Sequence, residues 1–433
     1  VEQICKKYII NGVRSRENTN STADEKGDHP IGPLPMSPSA SDSPSRDIVI
    51  FFLAFAFFRV SLFIALPTGE YKDVCSRLIS MHSFNRSLEY DWKEERRNVT
   101  VSRAGRAAEI AIVIVLGSGE VDPATFGLAL ESVKCYAALH GYPLHIITTN
   151  GNASLHKLCP HADIMFHRHC VLSVMLPELP YEWILFIGAD VGVVNPNHIL
   201  EEYLPEDDSI HVVLYDRMWN FEVMTDGYFV RNSDIGRNFT MYFADSYYGL
   251  PAVPQHGRDQ GTIQGVVLNF TLPHLIPANV HCEELWKRSK NYASLFEYEA
   301  CVRELMRNET MPLIELRGKD HPRRWCRDGW ITSNRWSDGD FMFHAWKTEN
   351  VGWSWHPPLA RSLQEASSLL TRSSEDLSET CKNRSIGEQL WVYKSSYMTS
   401  DGEVQKSIRK MIEYDDRQYA RVVEELREKG YLR

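Results

Sequence analysis

The chain has 433 residues, 43% of them hydrophobic, and a formal net charge of -10 at pH 7. That length and apolar content suffice for one large globular domain or two modest ones. Neutralising nucleic-acid phosphates requires clustered Lys and Arg, and the sequence has no long basic stripe, so its composition argues against a DNA- or RNA-binding protein.

The N-terminal part combines a polar tail with an apolar segment. Residues 1–47 include IGPLPMSPSASDSPSRD, which is too rich in Pro, Ser and charge to bury a core and predicts a disordered tail. Residues 48–66 are apolar except for Arg59 and Ser61 and are just long enough to span a bilayer. Arg59 at mid-membrane costs about 2.5 to 3.5 kcal/mol, which the many Phe, Leu and Ile residues outweigh. We predict a transmembrane signal anchor, with a cleaved signal peptide as the alternative.

The chain beyond the span carries the marks of a secretory-pathway lumen. Residues 67–108 are polar and predict a stem. Positive charges near the span, taken alone, mildly favour the opposite orientation. Sequons and cysteines outweigh them, because N-glycans and disulfides belong to an oxidising lumen. Sequons begin at Asn85, Asn98, Asn152, Asn238, Asn269, Asn308 and Asn383, and the cysteines beyond the span are Cys75, Cys135, Cys159, Cys170, Cys282, Cys301, Cys326 and Cys381. We predict a single-pass type II glycoprotein of the Golgi or ER membrane with disulfides, whose connectivity the sequence leaves open.

The globular part, residues 109–355, opens with a βαβ pattern. IAIVIVLG (110–117) is a continuous run rich in Val and Ile, typical of a parallel strand buried on both faces. Asp122 and Pro123 are a helix cap and a first helical residue, and LHIITT (144–149) predicts the next strand. Strand, helix and strand in this order indicate an α/β sheet.

Later segments extend this pattern. Further strands are predicted at 183–187 and 210–215, and NPNHILEEYL between them reads as helical. Residues 356–433 contain polar, amphipathic helical patterns and are predicted to form a C-terminal helical region. The fold class is therefore α/β with a mostly parallel central sheet.

Two short motifs invite a cofactor interpretation. Gly117 and Gly119 give only the first half of a dinucleotide-binding GxGxxG, which argues against NAD or FAD. Gly117 remains a candidate nucleotide contact, and a plain turn is the alternative. FHRHC (166–170) offers zinc-binding residue types, but a structural zinc site needs about four ligands and no spaced second pair is evident. A strand or loop with incidental histidines is the favoured interpretation there.

The stretch WILFIGADVGVVNP (183–196) carries the strongest signal. In an open α/β sheet, ligands bind beyond the carboxyl ends of the strands, where Asp190 falls. Alternation along an extended backbone places positions 188 and 190 on one side, so Gly188 leaves a gap where a second carboxylate would fit. An aspartate that merely orders a turn is the alternative.

The longer segment LPYEWILFIGADVGVVNPNHILEEYL (179–204) resembles a nematode family of membrane-anchored proteins similar to GT-A glycosyltransferases. In that family the equivalent stretch usually reads Asp-Ala-Asp. More remotely, the segment is similar to Golgi α-galactosyl- and α-1,6-mannosyltransferases of yeast and plants. The resemblance, extended over residues 110–355, implies a GT-A, Rossmann-like nucleotide-diphospho-sugar transferase fold.

The resemblance also implies roles for individual residues. Asp190 matches the second Asp, a ligand of Mn²⁺ or Mg²⁺, and hard cations of this kind favour carboxylate and phosphate oxygens. His344 in FMFHAWK would be a second metal ligand, with a packed histidine as the alternative, and Lys347 a contact to the nucleotide phosphates. Asp216 could take over part of the metal coordination, although only its position at a strand end supports this.

The acceptor side of the cleft is predicted from two stretches. FEVMTDGYFVRNS offers Asp226 ahead of a strand, and HGRDQG offers Asp259 and Gln260 at a helix start. In the resembled enzymes an Asp-Gln of this kind faces the reacting sugar. A simple helix cap is the alternative for Asp259.

Together these observations predict a lumenal, metal-assisted transferase that moves a hexose from a UDP- or GDP-sugar to a glycan acceptor. The resemblance implies retention of anomeric configuration. Because glycine at position 188 leaves out one carboxylate, activity is predicted to be lower by a factor on the order of 10 to 1,000. The alternatives are an inactive protein of the same fold that binds a glycan or a partner enzyme, and a structural cell-surface glycoprotein.

Overall fold

The computed structural model describes residues 109–117, 123–347, 358–371 and 376–432, all within one compact unit. Its strands are β1 (Ile110–Leu116), β2 (Leu144–Thr148), β3 (Trp183–Ile187), β4 (Gly192–Val193), β5 (Val212–Tyr215), β6 (Gly227–Arg231), β7 (Ile314–Arg317), β8 (Cys326–Asp328) and β9 (Met342–His344). Its helices are α1 (Pro123–His140), α2 (Ala153–Leu158), α3 (Ile164–Met175), α4 (Asp234–Asp245), α5 (Arg258–Thr271), α6 (Ile276–Trp286), α7 (Tyr292–Met306), α8 (Leu363–Thr371), α9 (Leu377–Lys382), α10 (Arg384–Gly387) and α11 (Asp401–Glu428).

The predicted tail, anchor and stem (1–47, 48–66 and 67–108) lie outside the described residues. Within the part of the chain that the structure does describe, no helix has both the length and the apolar character to cross a membrane.

Six strands form a central sheet in the order β2-β1-β3-β6-β5-β7, and β4, β9 and β8 form a second, smaller sheet. In the central sheet β6 runs antiparallel to both of its neighbours, and the other described strands run parallel to one another. The prediction of an α/β fold with a mostly parallel central sheet is confirmed.

The sheet is covered on both faces, as the continuous apolar run of β1 predicts. Alternate residues of a strand point to opposite faces. Ile110, Ile112 and Ile114 accordingly join one apolar core, with α1, α8 and α9. Ala111 and Val113 join the other, with α3 to α7 and the end of α11.

Two predicted elements differ from the structure. NPNHILEEYL was expected to be helical, but only Leu200–Tyr203 forms a short 3₁₀ turn. Asn195 followed by Pro196 would suit a helix start, but the side chains of Asn195 and His198 bond the Asp338 carbonyl instead, at 2.9 and 3.0 Å. The segment FHRHC, expected to be a strand or loop, lies in α3, whose residues 166–173 are all buried. A helix that is buried all round shows no amphipathic period in the sequence.

Three disulfides link the described cysteines: Cys135 with Cys381, Cys159 with Cys170, and Cys282 with Cys301. Cys326 is buried with a free thiol, and Cys75 lies outside the described residues. The first pair joins α1 to α9, so the C-terminal helices are covalently attached to the α/β core.

Removing the Cys135–Cys381 disulfide is expected to cost about 2 to 5 kcal/mol of folding free energy. This bond spans 246 residues and the Cys282–Cys301 bond spans 19. Because loop-closure entropy grows with the logarithm of loop length, the double Ala variant of the long bond should lose about 2 kcal/mol more than that of the short bond. Urea unfolding under non-reducing conditions measures both. Equal losses would contradict the entropic argument.

Candidate metal centre

Asp190 lies in a turn just beyond the carboxyl end of β3, as its position in the sequence predicts. The turn is closed by a bond from the Val191 amide to the Gly188 carbonyl at 3.2 Å. Asp190 is only 8% exposed, and its Oδ2 lies 3.2 Å from Lys347 Nζ. The backbone amide of Trp346 donates to the Asp190 carbonyl at 2.7 Å. The segment after β9 therefore fixes this turn.

His344 reaches Asp190 through the smaller sheet, where β4 pairs with β9 and Gly192 lies opposite Phe343. Gly192 is required by packing, since a Cβ at this position would lie 1.4 Å from the ring of Trp346. The chain then leaves β9 through Ala345, whose φ of 65° is left-handed. Such backbone costs about 1 to 3 kcal/mol in a non-glycine residue and persists where its surroundings enforce it.

Asp226 immediately precedes β6, the strand that pairs with β3, and so lies beside the Asp190 turn. In the antiparallel β3–β6 pair, Ile187 lies opposite Gly227, and the Gly188 amide donates to the Asp226 carbonyl at 2.9 Å. Asp226 is thus the direct cross-strand neighbour of Gly188. A residue predicted for the acceptor side lies beside the gap left at position 188.

Asp190, Asp226 and His344 form a compact group whose candidate ligand atoms all lie within 4.8 Å of one another, and no other such group occurs among the described residues. His344 Nε2 is 3.4 Å from Asp226 Oδ2 and 3.8 Å from Asp190 Oδ2. Two carboxylates and one imidazole suit a hard or borderline divalent cation that keeps positions for phosphate and water. The donor set fits Mn²⁺ or Mg²⁺.

A buried arginine fixes the position of the Asp226 carboxylate. Arg168 in α3, 4% exposed, contacts Asp226 Oδ1 through one guanidinium nitrogen and Asp259 Oδ2 through another, the latter at 2.6 Å. Burial alone raises the pKa of both carboxyls, but Arg168 outweighs it and holds their pKa values below the usual range. Both aspartates therefore stay ionised, and Asp226 keeps a fixed orientation.

A second series of ion pairs and hydrogen bonds fixes the position of His344. Its Nδ1 lies 2.8 Å from Asp328 Oδ1, Asp328 accepts from Arg217 at 2.9 Å, and Arg217 also donates to Glu222 at 2.9 Å. The contact at Nδ1 leaves Nε2 facing the two aspartates. Burial lowers the pKa of His344, but attraction to Asp190 and hydrogen bonds to Asp226 and Asp328 outweigh it and raise the pKa to about 9.

The other predicted residues lie around this group. Gly117 directly follows β1, the strand beside β3. Asp259 is 4% exposed and lies behind Arg168. Gln260 binds the Val223 carbonyl through Nε2 and accepts from Thr225 Oγ1 at 3.1 Å. Asp259 and Gln260 therefore both brace the segment that leads into Asp226.

Two sequence hypotheses do not hold at this site. Asp216 is paired with both terminal nitrogens of Arg303, at 2.7 and 2.6 Å, and is not a member of the metal group. Zinc at FHRHC, which the sequence already disfavours, gains no support, because Cys170 is in a disulfide and His169 Nδ1 contacts the Tyr228 hydroxyl at 2.9 Å. Burial also lowers the pKa of His169 to about 4, so this side chain is neutral at pH 7.

Sequence reasoning missed three residues that build the site: Arg168, Arg217 and Asp328. Arg168 lies inside FHRHC, where only the histidines and the cysteine suggested a ligand, and Arg217 and Asp328 belong to no recognisable motif. For Arg168 and Arg217 the available signal was a charged residue next to an apolar run, because a charge that is buried requires a partner; Asp328 carried no such signal.

Comparison with known proteins places the chain in a family. The family model described as "Protein of unknown function, DUF273" matches residues 133–356, more than half of the chain. The chain belongs to the DUF273 family. The DUF273 match contains Asp190, Asp226 and His344, so the entire candidate metal group lies inside the family region, whereas β1 and Gly117 precede it.

Two further comparisons add little to the DUF273 assignment. No curated protein matches the chain significantly. Among solved structures, it is similar to a glycosyltransferase involved in the glycosylation of the major capsid of PBCV-1, with 17% identity and a TM-score of 0.28 over 35% of this chain and 74% of that one. A likeness at that score does not establish a shared fold, so the candidate site carries the functional argument.

Proposed function

We propose that the protein is a metal-dependent glycosyltransferase that moves a hexose from a UDP- or GDP-sugar to a glycan acceptor. The observation that carries this proposal is the Asp190, Asp226 and His344 group with Lys347 beside it, at the edge of the sheet where α/β proteins bind ligands. A cationic side chain beside a divalent-cation site suits a nucleotide diphosphate.

In this proposal Asp190, Asp226 and His344 hold the cation and Lys347 contacts a phosphate oxygen of the donor. When bound, the cation supplies Lewis-acid neutralisation of the departing diphosphate. Arg168 and Asp328 keep the ligand side chains in place, so little reorganisation is needed on binding. The resemblance in sequence supports retention of anomeric configuration, and Gly117 is proposed as a backbone contact to the nucleotide.

The burial of Asp259 changes the role proposed for it. At 4% exposure, with Oδ2 on Arg168 and Oδ1 on the Gln260 amide at 2.9 Å, it has little surface to offer an acceptor. We assign Asp259 and Gln260 a positioning role through Asp226, and Asp226 itself to the cation.

The proposed location is the lumen of the ER or Golgi, with the chain anchored by residues 48–66. The three disulfides support an oxidising compartment. Sequons that are to carry glycans must be reachable, and the structure leaves four of the described ones exposed: Asn152, Asn238, Asn308 and Asn383.

A thermal-shift experiment on the full chain tests the function. UDP- or GDP-sugar with Mn²⁺ at about 100 times its dissociation constant should stabilise the fold by about 2.7 kcal/mol through mass action. The same nucleotide with EDTA should give a much smaller shift. Stabilisation by the nucleotide-sugar that is the same with and without Mn²⁺ would refute metal assistance. Nucleotide-sugar binding without turnover would favour the alternative of an inactive glycan- or partner-binding protein.

A further inference from the structure

The absence of a side chain at Gly188 has a specific spatial consequence. A Cβ placed on this residue would lie 3.1 Å from Asp226 Oδ1, 3.3 Å from Asp226 Cβ and 3.3 Å from Asp190 Oδ1. All three distances are tighter than ordinary van der Waals contact. A side chain at position 188 would therefore crowd the carboxylates of both Asp226 and Asp190, and the carboxylate of Asp226 lies nearest to it.

The pairing of β3 with β6 explains why the two positions compete for one space. Residues directly opposite each other in an antiparallel pair point to the same face with Cβ atoms about 4.5 to 5.5 Å apart. The register of Ile187 opposite Gly227 continues by one residue through the hydrogen bond from the Gly188 amide to the Asp226 carbonyl. Side chains at positions 188 and 226 would thus start from neighbouring points on the two strands and extend into the same space.

We infer that positions 188 and 226 are alternative sources of a single metal-binding carboxylate, and that Asp226 supplies it from the opposite strand. This inference rests on the proposed function. Asp226 Oδ2 faces His344 Nε2 at 3.4 Å, and Oδ1 is held by Arg168. One oxygen is thus available to a cation while the other anchors the side chain. Gly188 is the residue that gives this carboxylate room, so under this inference the glycine does not weaken the site.

A carboxylate exchange on the full chain tests the inference, with Mn²⁺ affinity measured by titration in the absence of nucleotide. Asp226→Asn, which keeps the shape of the side chain but not its charge, should weaken Mn²⁺ binding by at least about tenfold. Asp226→Gly should do the same. The double variant Gly188→Asp with Asp226→Gly should recover Mn²⁺ affinity to within about threefold of the unmodified protein, because the carboxylate returns from the other strand.

The control is Asp216→Asn, which removes another buried carboxylate paired with an arginine but outside the metal group. Its Mn²⁺ affinity should stay within about threefold of the unmodified protein. If the double variant does not fold, Asp226→Asn against Asp216→Asn still decides the role of Asp226. Unchanged Mn²⁺ affinity in Asp226→Asn, or a folded double variant without recovery, would overturn the inference alone. Failure of the unmodified protein to bind Mn²⁺ would overturn the metal-dependent function and the inference with it.

Discussion

Replacing Arg168 with methionine is expected to destabilise the folded protein by about 3 to 5 kcal/mol, because removing one partner of a buried ion pair leaves uncompensated charge. Two carboxylates lose their cation at once, and Asp259 is 4% exposed. Methionine preserves most of the packing volume, so the loss reports mainly on charge. Urea unfolding at pH 7 measures it.

The pH dependence of this stability loss distinguishes uncompensated charge from a packing defect. The folded-state pKa values of Asp226 and Asp259 are depressed, so their stabilisation is present above the unfolded value of about 3.9 and is lost as pH falls through the folded values. The difference between the two proteins should therefore be full near neutrality and shrink in acid. Arg258→Met is the control: its side chain is 57% exposed in its pair with Asp163, and exposed pairs contribute only about 0 to 1 kcal/mol. A loss independent of pH would point to packing.

Mn²⁺ affinity should rise by about tenfold per pH unit between pH 6.5 and 8.5, since a proton must leave His344 for its imidazole to bind the ion. In the metal-free protein the pKa of His344 is about 9, against about 6.5 in an unfolded chain. A raised folded pKa stabilises the protein fully below the unfolded value, and this contribution disappears as pH rises through the folded value. The metal-free protein should therefore lose stability over the window in which Mn²⁺ binding strengthens.

Calorimetric titrations of Mn²⁺ in two buffers of different ionisation enthalpy would count the proton released. His344→Gln removes the titrating group and should flatten the pH profile while weakening binding. A steep profile that survives this substitution would assign the proton to another residue.

The sheet and the Asp190 turn were predictable because their signals are local. The apolar run of β1 requires burial on both faces, and a strand that ends in a lone carboxylate marks the ligand-binding edge. His344 carried no such local signal, and only the resemblance to transferases pointed to it. Its position depends on the pairing of β4 with β9, which joins segments about 150 residues apart in the sequence.

The role of Asp226 could not be read from sequence for a related reason. The sequence predicts a gap at Gly188, but the residue that we infer to fill it comes from a strand whose direction and register had to be known. A shift of one residue in the β3–β6 pairing would send the Asp226 side chain to the opposite face of the sheet. Arg168 was missed for another reason: α3 is buried all round, so its sequence shows no amphipathic period, and the motif FHRHC drew attention to its histidines and cysteine and not to its arginine.

The bond between Cys135 and Cys381 places the whole candidate metal group, with Arg168, Arg217 and Asp328, inside one covalently closed loop of the chain. A single proteolytic cut between residues 347 and 358 would therefore not release the C-terminal helices, and the two fragments would separate only on a reducing gel. Conversely, truncation at residue 355 would leave Cys135 without its partner and strip α8 and α9 from the apolar core beside α1. An expressed fragment that contains the candidate site should accordingly retain the C-terminal helices.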